Sequence, residues 1–92
     1  MATTLSKVKR AIRNGDYQIG EHFLEELASD NLTISDALSS ILNAAEFDKL
    51  TDDESHIRYR IYGMSADGRD IVTIVFFSQG TLFLKTVYEP RF

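Results

Sequence analysis

With 92 residues, no cysteine and a net charge of −4, the chain has room for one domain and can build neither a disulfide framework nor a thiolate zinc site. A chain of this size buries roughly 60 to 65% of its unfolded surface, so any site should be a shallow polar groove, suited to a polymer or a partner protein. The charge is uneven: residues 1–14 carry +4, residues 15–54 set eleven acids against Lys49 for −10, and residues 55–92 carry +2. That layout fits a bipolar surface, with solvated charged faces as the simpler reading.

The first residues show no signal-peptide core, and no run approaches the ~20 apolar residues of a membrane span, so a soluble cytoplasmic protein is expected. Thr3 or Thr4 can cap a first helix that runs to Asn14, with Leu5, Val8, Ala11 and Ile12 at helical spacing and Gly15 as its stop. Asp16 to Gly20 reads as a short extended segment with Tyr17 and Ile19 turned inward. A second helix is expected from Glu21 to about Ser29, with an apolar stripe of Phe23, Leu24, Leu27 and Ala28. Asp30, Asn31 and Leu32 break it. Thr33 then opens a third helix, because Asp36 three residues on completes a relative of the capping box, and its stripe is Ala37, Leu38, Ile41, Leu42 and Ala45.

The acidic stretch Glu46 to Ser55 reads as a mobile loop. Beyond it, Ile57 to Tyr62 alternates strictly, placing Ile57, Tyr59 and Ile61 on one strand face and Arg58, Arg60 and Tyr62 on the other. Ala66-Asp67-Gly68-Arg69 is a turn, and the apolar runs 71–77 and 82–88, joined by Ser78-Gln79-Gly80-Thr81, form a buried hairpin. Taken as a regular strand, the second run puts Leu84, Thr86 and Tyr88 on one face and Phe83, Lys85 and Val87 on the other. With no repeat or linker, the expectation is a single α+β domain: N-terminal helices packed on a C-terminal antiparallel sheet of three or four strands.

Several side chains carry chemistry. His22 opens the second helix almost opposite its apolar stripe, so it faces solvent or a groove, where an imidazole works as general base or acid at neutral pH; a plain surface histidine is the alternative. Glu25 and Glu26 follow at the spacing of a two-ligand metal pair that His56 could extend, a weak signal in an acidic domain, and no metal or cofactor is expected. Arg58 and Arg60 share a strand face beside Tyr62 and offer guanidinium forks to phosphate, unless they only salt-bridge to nearby acids. Thr86 and Tyr88 can hydrogen-bond a scissile phosphate or donate a proton, and Lys85 can neutralise charge; Tyr88 can equally be a packing aromatic.

Tyr17-x-Ile19-x-x-His22, Asp67-Gly68-Arg69 and the ending Thr86-Val87-Tyr88-Glu89-Pro90 together resemble a family of small bacterial proteins, domain of unknown function 4258, over roughly residues 16–90. That family is similar in turn to the RelE-like and MqsR-like toxins of toxin–antitoxin pairs. The resemblance implies a metal-independent endoribonuclease acting on RNA, such as ribosome-associated mRNA, and neutralised by a small antitoxin, with no direct DNA or membrane partner. His22, Tyr88 and Thr86 would then be catalytic, and Arg58, Arg60, Arg69 and Lys85 would contact RNA phosphate. Two positions depart from the family pattern: Glu26 stands where arginine is usual, and Gly20 where a Ser or Thr cap is usual. These departures, with the acidic net charge, favour the alternative of a non-catalytic interaction module on the same scaffold.

Overall fold

The computed structural model describes residues 3–53 and 56–90. In chain order the elements are α1 (Thr4–Asn14), β1 (Tyr17–Ile19), α2 (Glu21–Ser29), α3 (Ile34–Leu42), β2 (Glu46–Asp53), β3 (His56–Met64), β4 (Asp70–Ser78) and β5 (Thr81–Tyr88). The domain is α+β.

Local chemistry sets the helix ends. Thr3 Oγ1 accepts the Ser6 N–H at 3.1 Å to start α1, and Gly15, at φ 75°, ends it in the left-handed conformation that a side chain would resist. Thr33 and Asp36 form a full capping box on α3, each side chain accepting the other's backbone N–H. The stripes differ in part from the expected ones. Leu24 is 43% exposed and Ala28 is exposed, so α2 buries only Phe23 and Leu27. Because α3 ends at Leu42, Ala44 becomes buried and Ala45 exposed.

The sheet has five strands in the order β1-β5-β4-β3-β2, one or two more than expected, and it is mixed. Tyr17, Gln18 and Ile19 run parallel to Leu82, Phe83 and Leu84, while all other pairings are antiparallel. The acidic stretch expected as a loop is β2, an edge strand. Its register matches charge and shape: Asp48 lies opposite Arg60, Phe47 lies opposite Ile61, and the Phe47 ring meets Tyr59 edge-on at 6.1 Å. With one edge and much of one face in water, such a strand tolerates acids that would break an inner one.

All three helices contribute to one core on one side of the sheet. Val8, Phe23, Leu27, Ala37 and Ile41 pack against Ile61, Ile71, Val75, Leu82, Leu84 and Val87. α3 lies backbone to backbone against β3: a Cβ at Gly63 would stand 1.9 Å from the Ser40 carbonyl oxygen, so glycine is what allows the two backbones to touch. Thr73 is fully buried in this core, and its hydroxyl finds no hydrogen-bond partner among the described residues.

The β4–β5 hairpin closes through Gln79 and Gly80 alone, with φ 51° and 81°, the positive pair of a type I′ turn. Further along, Ile74 pairs with Thr86 but Val75 pairs with Leu84, so Lys85 is an extra, bulged residue. The bulge reverses the expected faces. Leu82, Leu84 and Val87 all enter the core, and Phe83, Thr86 and Tyr88 go to the opposite side.

Candidate functional site

The face of the sheet away from the helices is where the chemistry collects. Alternation along β3 sends Arg58, Arg60 and Tyr62 to that side, since Tyr59 and Ile61 face the core, and the Lys85 bulge sends Thr86 and Tyr88 there as well. Without the bulge, Tyr88 would share the core side with Leu84. Val72 lies between Tyr62 and Tyr88 in the cross-strand register and is 97% shielded although it lies outside the helix-side core (3% exposed). On this face, which no helix among the described residues covers, Val72 is thus a buried apolar point.

Phe76 and Phe83 add an aromatic platform that no motif in the sequence marks. They are cross-strand partners on the uncovered face, with ring centroids 5.2 Å apart and planes 9° from parallel. The signal was available: once Gln79-Gly80 is taken as a two-residue turn, counting back equally on both strands pairs these rings.

His22 stands at the margin of this face. The first turn of α2, β4 and the bulged part of β5 border an open groove lined by Gly20, Glu21, His22, Phe23, Phe76, Phe83, Leu84 and Lys85. His22 and Lys85 therefore line one groove together with Phe76 and Phe83. Gly20 caps α2 with no side-chain hydrogen bond, so the helix opens into the groove with its leading N–H groups uncapped by a side chain. His22 Nε2 lies 3.4 Å from Glu26 Oε1, with the imidazole 72% exposed. Glu26 thus stands beside the imidazole, one helical turn further along α2.

The arginines fare differently from one another. Arg60 Nη2 donates to Asp48 Oδ2 at 3.0 Å, and Tyr62 Oη donates to the same oxygen at 2.5 Å. The Arg60 guanidinium also lies 5.6 Å from the centre of the Tyr62 ring. The Tyr62 hydroxyl, and after it Arg60, holds the Asp48 carboxyl below the usual carboxylate range, while donation to Asp48 pushes the Tyr62 phenol above its ordinary value. Asp48 was hidden from sequence reasoning because an acidic run without apolar alternation carries no strand signal.

Arg69 lies elsewhere. Its Nε donates to Glu89 Oε2 at 2.8 Å, Nη1 to the Asn31 carbonyl at 3.0 Å and Nη2 to the Asp30 carbonyl at 2.9 Å. It ties the β3–β4 turn to the end of α2 and to the residue after β5, and the structure does not bring it to His22. Among the described residues no three His, Cys, Asp or Glu side chains gather as metal ligands, and the His56 side chain lies outside the described residues.

No family model, curated protein or solved structure matches this chain. Among the described residues, no helix is long and apolar enough to cross a membrane.

Proposed function

We propose that this domain binds single-stranded RNA across the uncovered sheet face and cleaves it without a metal, as a RelE-like toxin of the cytoplasm would, with a small antitoxin-like protein as its partner. The observation that carries this reading is the convergence on one face of Arg58, Arg60, Thr86, Tyr88 and the stacked Phe76–Phe83 pair, with His22 and Lys85 in the adjoining groove. Antiparallel sheets that present aromatic rings beside cations suit unstacked bases and their phosphates.

In the proposed reaction His22 takes the proton of a ribose 2′-hydroxyl as that oxygen attacks phosphorus. The P–O5′ bond breaks, leaving a 2′,3′-cyclic phosphate, and the departing oxygen takes a proton from Tyr88 or from water. Lys85, Arg58 and Arg60 brace the charge that grows on the non-bridging oxygens, with Thr86 as a further donor. Glu26 orients the imidazole and does not contact the substrate.

A second reading is favoured by one specific observation. His22 and Arg60 each face a carboxylate, Glu26 at 3.4 Å and Asp48 at 3.0 Å, which lowers the positive potential that RNA seeks. A non-catalytic module that engages a protein through this face accounts for that pairing. RNA cleavage by the wild type beside His22→Ala, with chelator present and both proteins checked for folding, separates the two. Cleavage that the variant loses supports the nuclease; no cleavage of free RNA or on translating ribosomes overturns it in favour of the interaction module.

A further inference from the structure

Asp48, Arg60 and Tyr62 form one hydrogen-bonded cluster across β2 and β3. One carboxylate oxygen on an edge strand receives both a guanidinium N–H and a phenol O–H, and both charged side chains remain open to water, Asp48 at 49% and Arg60 at 35% exposure. An oxygen bearing negative charge, held by one Arg and one Tyr donor on an aromatic-bearing sheet face, has the chemistry of a non-bridging phosphate oxygen. We infer that Arg60 and Tyr62 form a phosphodiester-binding site in which Asp48 is a built-in competitor, so that RNA engages this site by displacing the Asp48 carboxylate from its two donors.

The inference rests on the RNA-binding reading and adds an occupant and a brake to it. Asp48 is suited to be displaced. It sits on the outermost strand, and an exposed ion pair holds only weakly against a competing anion. Tyr62 keeps Arg60 in place during the exchange, because the guanidinium lies against its ring and that contact does not involve Asp48.

The test is the affinity of a labelled single-stranded oligoribonucleotide, by fluorescence anisotropy at low salt, for the wild type, Asp48→Asn, Arg60→Ala, the double variant Asp48→Asn/Arg60→Ala, and Glu46→Gln. Asparagine keeps the shape of Asp48, and Glu46→Gln removes the same charge from the same strand. Asp48→Asn is expected to tighten binding about tenfold, the scale of one charge-assisted hydrogen bond released to the ligand, and Arg60→Ala is expected to erase that gain. Equal gains from Asp48→Asn and Glu46→Gln, or a gain that persists without Arg60, would show that Asp48 acts only through net charge and would overturn the inference while leaving RNA binding intact. If neither the wild type nor Asp48→Asn binds RNA, the RNA-binding reading itself falls, and this site falls with it.

Discussion

Glu26 accepts the backbone N–H of Val87 at 3.3 Å while lying 3.4 Å from His22, so one carboxylate serves both the sheet and the imidazole. The contact repeats one helical turn later, where Asp30 Oδ2 accepts the Glu89 N–H at 2.9 Å. Four residues of helix rise about 6 Å and two of strand about 6.6 Å, so Glu26 of α2 and its C-cap Asp30 keep step with the N–H groups of Val87 in β5 and of Glu89 just after it. β1 covers β5 only as far as Leu84, and beyond it these two carboxylates take over the exposed donors. An arginine at position 26 could not accept from Val87.

Glu26→Gln retains an acceptor for Val87 and is expected to leave stability within about 0.5 kcal/mol of the wild type, whereas Glu26→Ala strands the N–H and should destabilise by about 1 to 2 kcal/mol. Urea unfolding of both variants checks this. Equal losses would mean that the hydrogen bond contributes nothing.

At Gly63 the expected effect is large. Alanine would press its Cβ against the Ser40 carbonyl, and since both partners are backbone, α3 and β3 must separate. Gly63→Ala should cost about 3 kcal/mol or more and show as a large drop in Tm or loss of soluble protein. A variant melting near the wild type would contradict the close packing of α3.

Thr73 offers the opposite sign. Its buried hydroxyl has no partner among the described residues, and valine has the same shape without the desolvated oxygen. Thr73→Val is expected to stabilise by about 1 kcal/mol. Destabilisation in thermal melts would reveal a hydrogen bond to water at that position.

Arg69 should behave as a latch whose geometry matters more than its charge. Lysine cannot meet two carbonyls and a carboxylate at once, so Arg69→Lys is expected to lower Tm nearly as far as Arg69→Ala. Full rescue by lysine would show that only the ion pair with Glu89 counts.

The Asp48 cluster gives a dependence on pH. The folded protein holds the Asp48 carboxyl below its ordinary value, so the cluster's contribution to stability is complete above that ordinary value of 3.8 and is lost as pH falls through the depressed one. Tyr62 is raised above 10.0, so its share is complete below that pH and is lost as pH rises through the folded value. Asp48→Asn should therefore flatten the acid limb of the stability profile and bring one tyrosine back toward ordinary alkaline titration. Absorbance titration of the tyrosinate, beside melts across the acid range, reads both effects.

Much of the fold is legible because its determinants are local. The Thr33–Asp36 box, the Gly15 stop and the glycine of the β4–β5 turn each act within a few residues and lie where the sequence places them, although the turn itself is Gln79-Gly80 alone and Ser78 and Thr81, expected in the loop, pair across the strands. What escapes is set by partners distant in sequence. β2 is a strand because Arg58, Arg60 and Ile61 supply its complement, which nothing between residues 46 and 53 announces. The Lys85 bulge leaves no mark in residue type, since Leu84, Lys85 and Thr86 fit a regular strand equally well. It nevertheless decides that Tyr88 joins Arg60 on the uncovered face, so the sequence could name those residues without placing them together.

The parallel pairing of Tyr17 with Leu82 has a consequence for synthesis. The segment carrying β1 leaves the ribosome early, but β5, with which it pairs, is the last of the described strands to be made. Until then α1 and α2 have no β5 to pack on, and the apolar side chains of Val8, Phe23 and Leu27 stay without their final neighbours. The nascent chain therefore cannot complete its core vectorially, and a ribosome stalled before residue 82 would hold an unfinished, aggregation-prone intermediate.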